Sequence, residues 1–374
     1  MNERKYFLDW LRVFAFGLLV VFHVGLMYAS WWAVYKSPRL VPEIEWILIL
    51  FSPWRIVLLF FISGVACRFL IGKLSPGAFT GDRLLRLVPV ILLGMFVINP
   101  TQNYIELVTE GTIDTGYFEF WFGTYLSSAS IPGRVFPTWD HLWFLVYLLV
   151  YILALAACYV LAPGAFRAAG RRRLPVQVLV VAPALWLALA DHLVTNIQPS
   201  TFDFVNDWAV HFRSAGLFGF GVIAAFDEEF WNWCRRHRAP LAIVSLILLG
   251  LVVAQRALSL VEAFDAFWYA FTRGTARGLY AWSVILTLAG YTAQYLNKRS
   301  SILSYLTVAI LPIYVLHQPV MIFAAWQLFP HELPLAIEGA LLLVITGAGS
   351  LALYEVIIRR FNPVRLAFGL KRKS

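Results

Sequence analysis

Runs of about twenty apolar residues recur along this chain, each long enough to cross a hydrocarbon core of about 30 Å as a helix. Lipid offers no partner to a free backbone N–H or C=O, so a spanning segment must be a helix or part of a closed barrel. Continuous apolar runs, in place of period-two alternation, select helices. The expected spans are 8–29, 54–72, 84–104, 141–162, 175–195, 208–226, 239–259, 275–296, 302–326 and 335–358. They predict an all-α, polytopic transmembrane bundle of about ten spans, a single membrane domain over 1–374. The composition agrees. Of 374 residues 60% are hydrophobic and 14% charged, with mean hydropathy +0.73, against about 45–50% apolar and about 25% charged in soluble domains.

The net charge of +9 is explained by topology. Basic residues cluster at Arg4/Lys5, Lys73/Arg83/Arg86, Arg167/Arg171/Arg172/Arg173, Arg235/Arg236/Arg238, Lys298/Arg299 and from Arg359 to Lys373. If the spans alternate direction, every cluster falls on one side, which puts both termini in the cytoplasm. The partner implied is a lipid bilayer and not nucleic acid. Cys67, Cys158 and Cys234 are isolated, so they read as reduced and structural, with no metal-ligand spacing. No phosphate-binding glycine loop or H-E-x-x-H pair is present. The basic start and the small residues near Ala29 imitate a signal peptide, but the length of the run and Arg12 argue against cleavage. The longest outer loop, 105–138, contains "YFEFWFGTYL". It suits either a lid over the bundle or a helix lying flat at the interface.

Ionisable groups inside the spans carry the functional signal, because the bilayer excludes them unless they work or pair. Arg12 and His23 are eleven residues apart. At about 100° per residue they return to within about 20° of one face, roughly 16 Å apart along the axis. Asp9 lies three residues before Arg12 and can pair with it. Snorkelling to the headgroups accounts for Arg12 alone. His23 is too short to snorkel, and the choice there is between a helix-to-helix hydrogen bond and a site. Arg83 and Arg86 share a helix face at the cytoplasmic mouth of the third span, suited to phosphate or to plain anchoring. Asp140 and His141 open the fourth span. His317 sits between Pro312 and Pro319, which free carbonyls where a backbone lines a cavity. Glu355 near the end of the tenth span is placed to pair with Arg359. His237 and His331 lie in loops, and Asp191/His192 close the fifth span.

The order of these features is Arg-x10-His in span one, R-x-x-R at the start of span three, "HLWFL" opening span four and "IYVLHQP" in span nine. It resembles the membrane-bound acyltransferase 3 family, and within it the branch of the glucan biosynthesis protein that succinylates periplasmic glucans. The resemblance covers nearly the whole chain. It implies a bacterial inner-membrane enzyme that moves an acyl group from cytoplasmic acetyl-CoA or succinyl-CoA, a donor substrate and not a resident cofactor, to a carbohydrate hydroxyl. By position it implies His23 as the essential histidine with Arg12 its partner, and Arg83 and Arg86 as the acyl-CoA pair. Asp9, Asp140, His141, His317 and Glu355 are the supporting candidates, and no metal is implied. Some relatives read His-His-Pro where this chain has His317-Gln318-Pro319. Some carry an extra periplasmic hydrolase-like domain not found in this sequence, so acceptor handling is expected within the bundle and its loops. Intramembrane Arg and His with proline-broken helices also suit a transporter of a sugar, lipid or acyl group. The residues leave that alternative, the acyl group, the acceptor and the oligomeric state open.

Overall fold

Long stretches of Leu, Val, Ala and Phe without competing polar side chains leave intrahelical hydrogen bonds as the only way to satisfy the backbone in lipid. In the computed structural model the described residues are 4–127, 131–164, 166, 174–197, 200–259 and 266–373. Arg167 with Arg171–Arg173, residues 128–130 of the outer loop, and Ser374 lie outside them.

The helices in chain order are α1 (Tyr6–Tyr28), α2 (Ile44–Phe51), α3 (Arg55–Ile71), α4 (Pro76–Leu93), α5 (Asn99–Thr109), α6 (Trp143–Leu161) and α7 (Val176–Asn196). They continue with α8 (Trp208–Ala224), α9 (Glu228–Arg236), α10 (Arg238–Ser259), α11 (Ala266–Tyr295), α12 (Ser301–Leu328), α13 (Leu335–Leu353) and the short α14 (Asn362–Ala367). No strand forms among the described residues; the only pairing of that kind is one isolated bridge between Ile131 and Arg134. The all-α polytopic bundle is therefore what the chain builds.

Among the described residues eight helical stretches are long and apolar enough to cross a membrane, and α8 with α9, bent by 103°, makes a possible ninth. The second span starts earlier than expected, at Ile44, because α2 and α3 run on around a break that contains Pro53. The expected span 275–296 corresponds to the C-terminal part of α11, which has 30 residues but is not among the apolar eight. Its first half carries Arg273 and Arg277. Directly after each of them, Gly274 and Gly278 form a G-x-x-x-G pair, where a Cβ would overlap the α7 backbone at His192 and Leu187. Close helix contact through these small residues brings this segment against α7, beside buried apolar side chains such as Ile285 and Leu286.

The chain divides into two compact units. Unit one comprises 1–15, 49–81 and 150–304, and unit two comprises 16–48, 82–149 and 305–374. Helix α1 contributes to both. In unit two the C-terminal half of α1 packs with α5, α12 and α13 around Met27, Tyr28, Ile105, Met321, Ala325 and Leu342. The buried Glu338 of α13 accepts from the Tyr28 hydroxyl at 3.0 Å and from Arg39 at 2.5 Å.

Between α4 and α5 the helix widens into a π turn, Gly94–Ile98. Pro100 lacks the N–H that Phe96 O would take at i+4 and Met95 O at i+5. The segment after α5 supplies the missing donors. Trp121 Nε1 donates to Phe96 O at 2.9 Å and the Tyr125 hydroxyl to Met95 O at 2.8 Å. The "YFEFWFGTYL" stretch is helical over 117–125, with Phe120 and Tyr125 buried and Phe118 and Phe122 exposed, which fits an interfacial seat. Arg134 then clamps the loop to α5 through Glu106 at 2.8 Å and Glu110 at 3.0 Å. Burial alone would lower the Arg134 guanidinium, but its bonds to the two glutamates outweigh that and raise it.

Candidate active site

Helix α1 presents His23 inside unit two. Its Nδ1 lies 2.9 Å from Leu19 O, one turn back, so Nδ1 carries the proton and donates to that carbonyl. The same nitrogen is 3.4 Å from His317 Nε2. His317 is fully buried on α12, and its own Nδ1 donates to Tyr314 O at 2.5 Å. That leaves the His317 Nε2 lone pair facing the His23 N–H. These tautomers are assigned from the carbonyl partners, which can only accept. In neutral His23 the lone pair therefore sits on Nε2, the arrangement a proton-accepting histidine needs. His317 orients the ring and would stabilise the imidazolium, the supporting role a third group plays in catalytic triads.

His141 completes the cluster. Pro319 has no N–H for Val315 O at i−4, and His141 Nε2 fills that place at 3.0 Å. The Tyr314 hydroxyl donates to His141 O. The His141 and His317 rings are 5.5 Å apart, and those of His317 and His23 5.1 Å. The proline-freed carbonyl expected in span nine is thus what brings a second helix to His317. Among the described residues no three His, Cys, Asp or Glu side chains form a metal-ligand set.

Asp140 precedes His141 with φ +41°, a left-handed conformation unfavourable for any residue with a Cβ. Its carboxylate receives Gln102 Nε2 at 2.6 Å, Asn103 Nδ2 at 2.7 Å and the Thr138 hydroxyl at 3.0 Å. Asn99 Nδ2 donates to Thr138 O at 2.9 Å. Asn99, Gln102, Asn103 and Glu106 recur at i, i+3, i+4 and i+7, which places them on one face of α5, and all four are buried. Sequence reasoning missed this stripe. The periodicity ran from the end of the expected span 84–104 into the loop beyond it and was the available signal.

The other expected site residues make contacts of their own. Arg12 pairs with Asp9 at 3.0 Å, and Asp9 also takes Arg4 at 2.7 Å. Arg83 pairs with Asp82, its neighbour in sequence. Arg86 lies where the chain end docks: Gly369, at φ +66°, would drive a Cβ into Arg86 O, and Leu370 beyond it is buried. Glu355 binds Arg359 at 2.8 Å, as its spacing predicts, and also accepts from the Tyr305 hydroxyl. Unit one separately holds a cavity of 1510 Å³ lined in part by Arg68, Lys73, Tyr159, Phe166 and Phe226, with Asp227 and Glu228 at the same cavity. Arg68 there is held between the Phe166 and Phe226 rings.

A helical bundle with this many apolar spans defines a multi-pass membrane protein. The chain belongs to the acyltransferase domain family, whose match runs over residues 5–355. It is a membrane acyltransferase. No curated relative and no solved structure gives a match.

Proposed function

We propose that the protein is a bacterial inner-membrane O-acyltransferase that moves an acetyl or succinyl group from cytoplasmic acyl-CoA to a hydroxyl of a periplasmic or surface carbohydrate such as a glucan. The observation that carries the reading is the His23–His317 pair, which leaves the His23 lone pair on Nε2. His23 Nε2 takes the proton of the acceptor hydroxyl as its oxygen attacks the thioester carbonyl. The C–O bond forms, the C–S bond breaks, and the imidazolium returns the proton to the leaving thiolate, giving ester and free CoA. General-base assistance of this kind contributes about 10²–10⁴-fold.

Arg83 and Arg86 are proposed to hold the CoA phosphates, which would compete with Asp82 for the Arg83 guanidinium. Arg12, with Asp9, sets the charge on the cytoplasmic half of α1. Asp140, His141 and His317 are proposed as supporting residues on the acceptor side of His23.

The test is acyl transfer in membrane vesicles, with wild type beside His23→Ala and with labelled acetyl-CoA and succinyl-CoA supplied separately. Ester-linked label on the carbohydrate fraction should fall by about 10²–10⁴-fold in the variant while insertion and folding are kept. Undiminished label in His23→Ala removes His23 from the chemistry. In Arg12→Ala, lost transfer with unchanged acyl-CoA binding would exclude donor binding as the main role of Arg12.

A further inference from the structure

The polar stripe of α5 leaves a particular set of atoms over. Asn99 and Gln102 are completely buried and His141 nearly so. Yet Asn99 Oδ1, Gln102 Oε1 and His141 Nδ1 each lack a hydrogen-bonding partner within the protein. A buried polar atom without a partner is costly and demands an explanation. The identities of these atoms are fixed by their partnered ends. The Asn99 amide nitrogen is bound to Thr138 O, the Gln102 amide nitrogen to Asp140, and His141 Nε2 to Val315 O. What remains on each side chain is an acceptor. Asp140 takes three protein donors itself, so its part is to turn the Gln102 and Asn103 amides and leave the Gln102 oxygen outward from that bond.

We propose that Asn99 Oδ1, Gln102 Oε1 and His141 Nδ1 form a subsite that accepts hydrogen bonds from the hydroxyls of the carbohydrate acceptor, next to the histidines that carry the transfer. The inference rests on the acyl-transfer reading for its place in the reaction, but its chemistry stands separately. Three neutral acceptors match a ligand rich in neutral donors, and a sugar presents several O–H groups on one face. An anion would meet repulsion from these lone pairs. A bound cation would call for charge that the already occupied Asp140 carboxylate does not spare. A site built to pair hydroxyls also discriminates strongly against ligands that lack them. The subsite adjoins His317 through His141, whose rings are 5.5 Å apart.

The test uses the full-length protein purified in detergent, with two probes: laminaritetraose and its fully O-methylated derivative, which keeps the shape and loses every donor. Binding is read by titration calorimetry, and each preparation is also assayed for acyl transfer from acetyl-CoA and succinyl-CoA. The wild type should bind the free sugar and not the methylated one. Asn99→Leu and Gln102→Met should each weaken binding by about three- to tenfold, the share of one hydrogen bond, with thermal unfolding confirming a folded protein. Equal binding of the two sugars, no binding of either, or unchanged affinity in both variants overturns the proposal. So does preferential binding of sodium or magnesium ions at these residues. The comparison of the two sugars needs no variant and holds even if a substituted chain fails to fold. Sugar binding that depends on Gln102, in a protein that transfers no acyl group, would leave the subsite standing and remove the acyl-transfer reading instead.

Discussion

Two aspartates, the buried Asp191 of unit one and the partly buried Asp140 of unit two, are satisfied in different ways. In unit one Asp191 at the end of α7 meets Arg213 of α8 at 3.1 Å, and Arg213 also donates to Pro53 O. Arg277 acts on the same carboxylate. This is a charge cancelled by charge. In unit two Asp140 draws on amides and a hydroxyl, Gln102, Asn103 and Thr138. Guanidinium groups carry no acceptor, whereas amides do. A carboxylate held by arginine gains no new acceptor from its partner. A carboxylate held by amides passes an acceptor on to whatever lies beyond, and in unit two that is the neighbourhood of the histidines.

The sharpest way to break this contrast is to remove one partner from each network. Arg213→Met strands a buried carboxylate and should cost about 3–5 kcal/mol of stability, towards the lower end because Arg277 remains. The double change Asp191→Leu with Arg213→Met should recover most of that loss. Asp140→Asn replaces an acceptor in a hydrogen-bonded network and should cost about 1–3 kcal/mol, while abolishing transfer. Denaturant unfolding of the purified protein, paired with the vesicle assay, checks all three. Equal stability losses for Arg213→Met and Asp140→Asn, with transfer kept in both, would erase the distinction between the two aspartates.

Pro319 offers the next largest effect, and the stability and activity it controls move in opposite directions. Pro319→Ala restores the N–H that Val315 O lacks, relieving up to about 3 kcal/mol of helix-interior cost. His141 then loses its carbonyl to the helix. Unfolding should shift towards greater stability while the acyl-transfer rate falls. A variant that is more stable and equally active would show that His141 needs no such anchor.

Much of this was legible in the sequence, and the limits have physical causes. Helix placement followed from runs of apolar residues, and His23, His141 and His317 stood out because lipid tolerates few such groups. The pairings of Asp9 with Arg12 and of Glu355 with Arg359 followed from helical spacing alone. The role of Pro319 was half visible: a freed carbonyl was expected, but the donor arrives from a residue 174 positions away, which no local pattern reveals. Where some relatives have a second histidine at the place of Gln318, this chain sets His141 beside His317 in space. At α11 the expected segment is helical, and Arg273 and Arg277 dilute its hydropathy. The stripe at Asn99, Gln102 and Asn103 escaped because amides carry no charge and pass as tolerated polar residues in a span.

The chain end gives a smaller effect that bears on the donor side. Gly369 combines φ +66° with backbone contact at Arg86 O. Gly369→Ala imposes a left-handed alanine at about 1–2 kcal/mol, and the added methyl must also push the segment off α4. If Arg86 holds the CoA phosphates, KM for acyl-CoA should rise in this variant with KM for the sugar unchanged. A rise confined to the sugar would move the donor site away from Arg86, and the unit-one cavity beside Arg68 and Lys73 would then be the place to look.

Glu355 should give the smallest effect, and for that reason it marks the edge of the site. It sits in the wide turn that ends α13, bound to Arg359 at 2.8 Å and to Tyr305, with Arg359 largely exposed. Exposed ion pairs contribute about 0–1 kcal/mol and weaken with salt. Glu355→Gln keeps the side-chain volume and an oxygen for the Tyr305 hydroxyl, so stability should move by less than about 1 kcal/mol. Transfer should stay near the wild-type rate in low and high salt alike. A loss of tenfold or more, in protein that unfolds normally, would mean that Glu355 acts on the reaction and that the site extends along unit two to the end of α13.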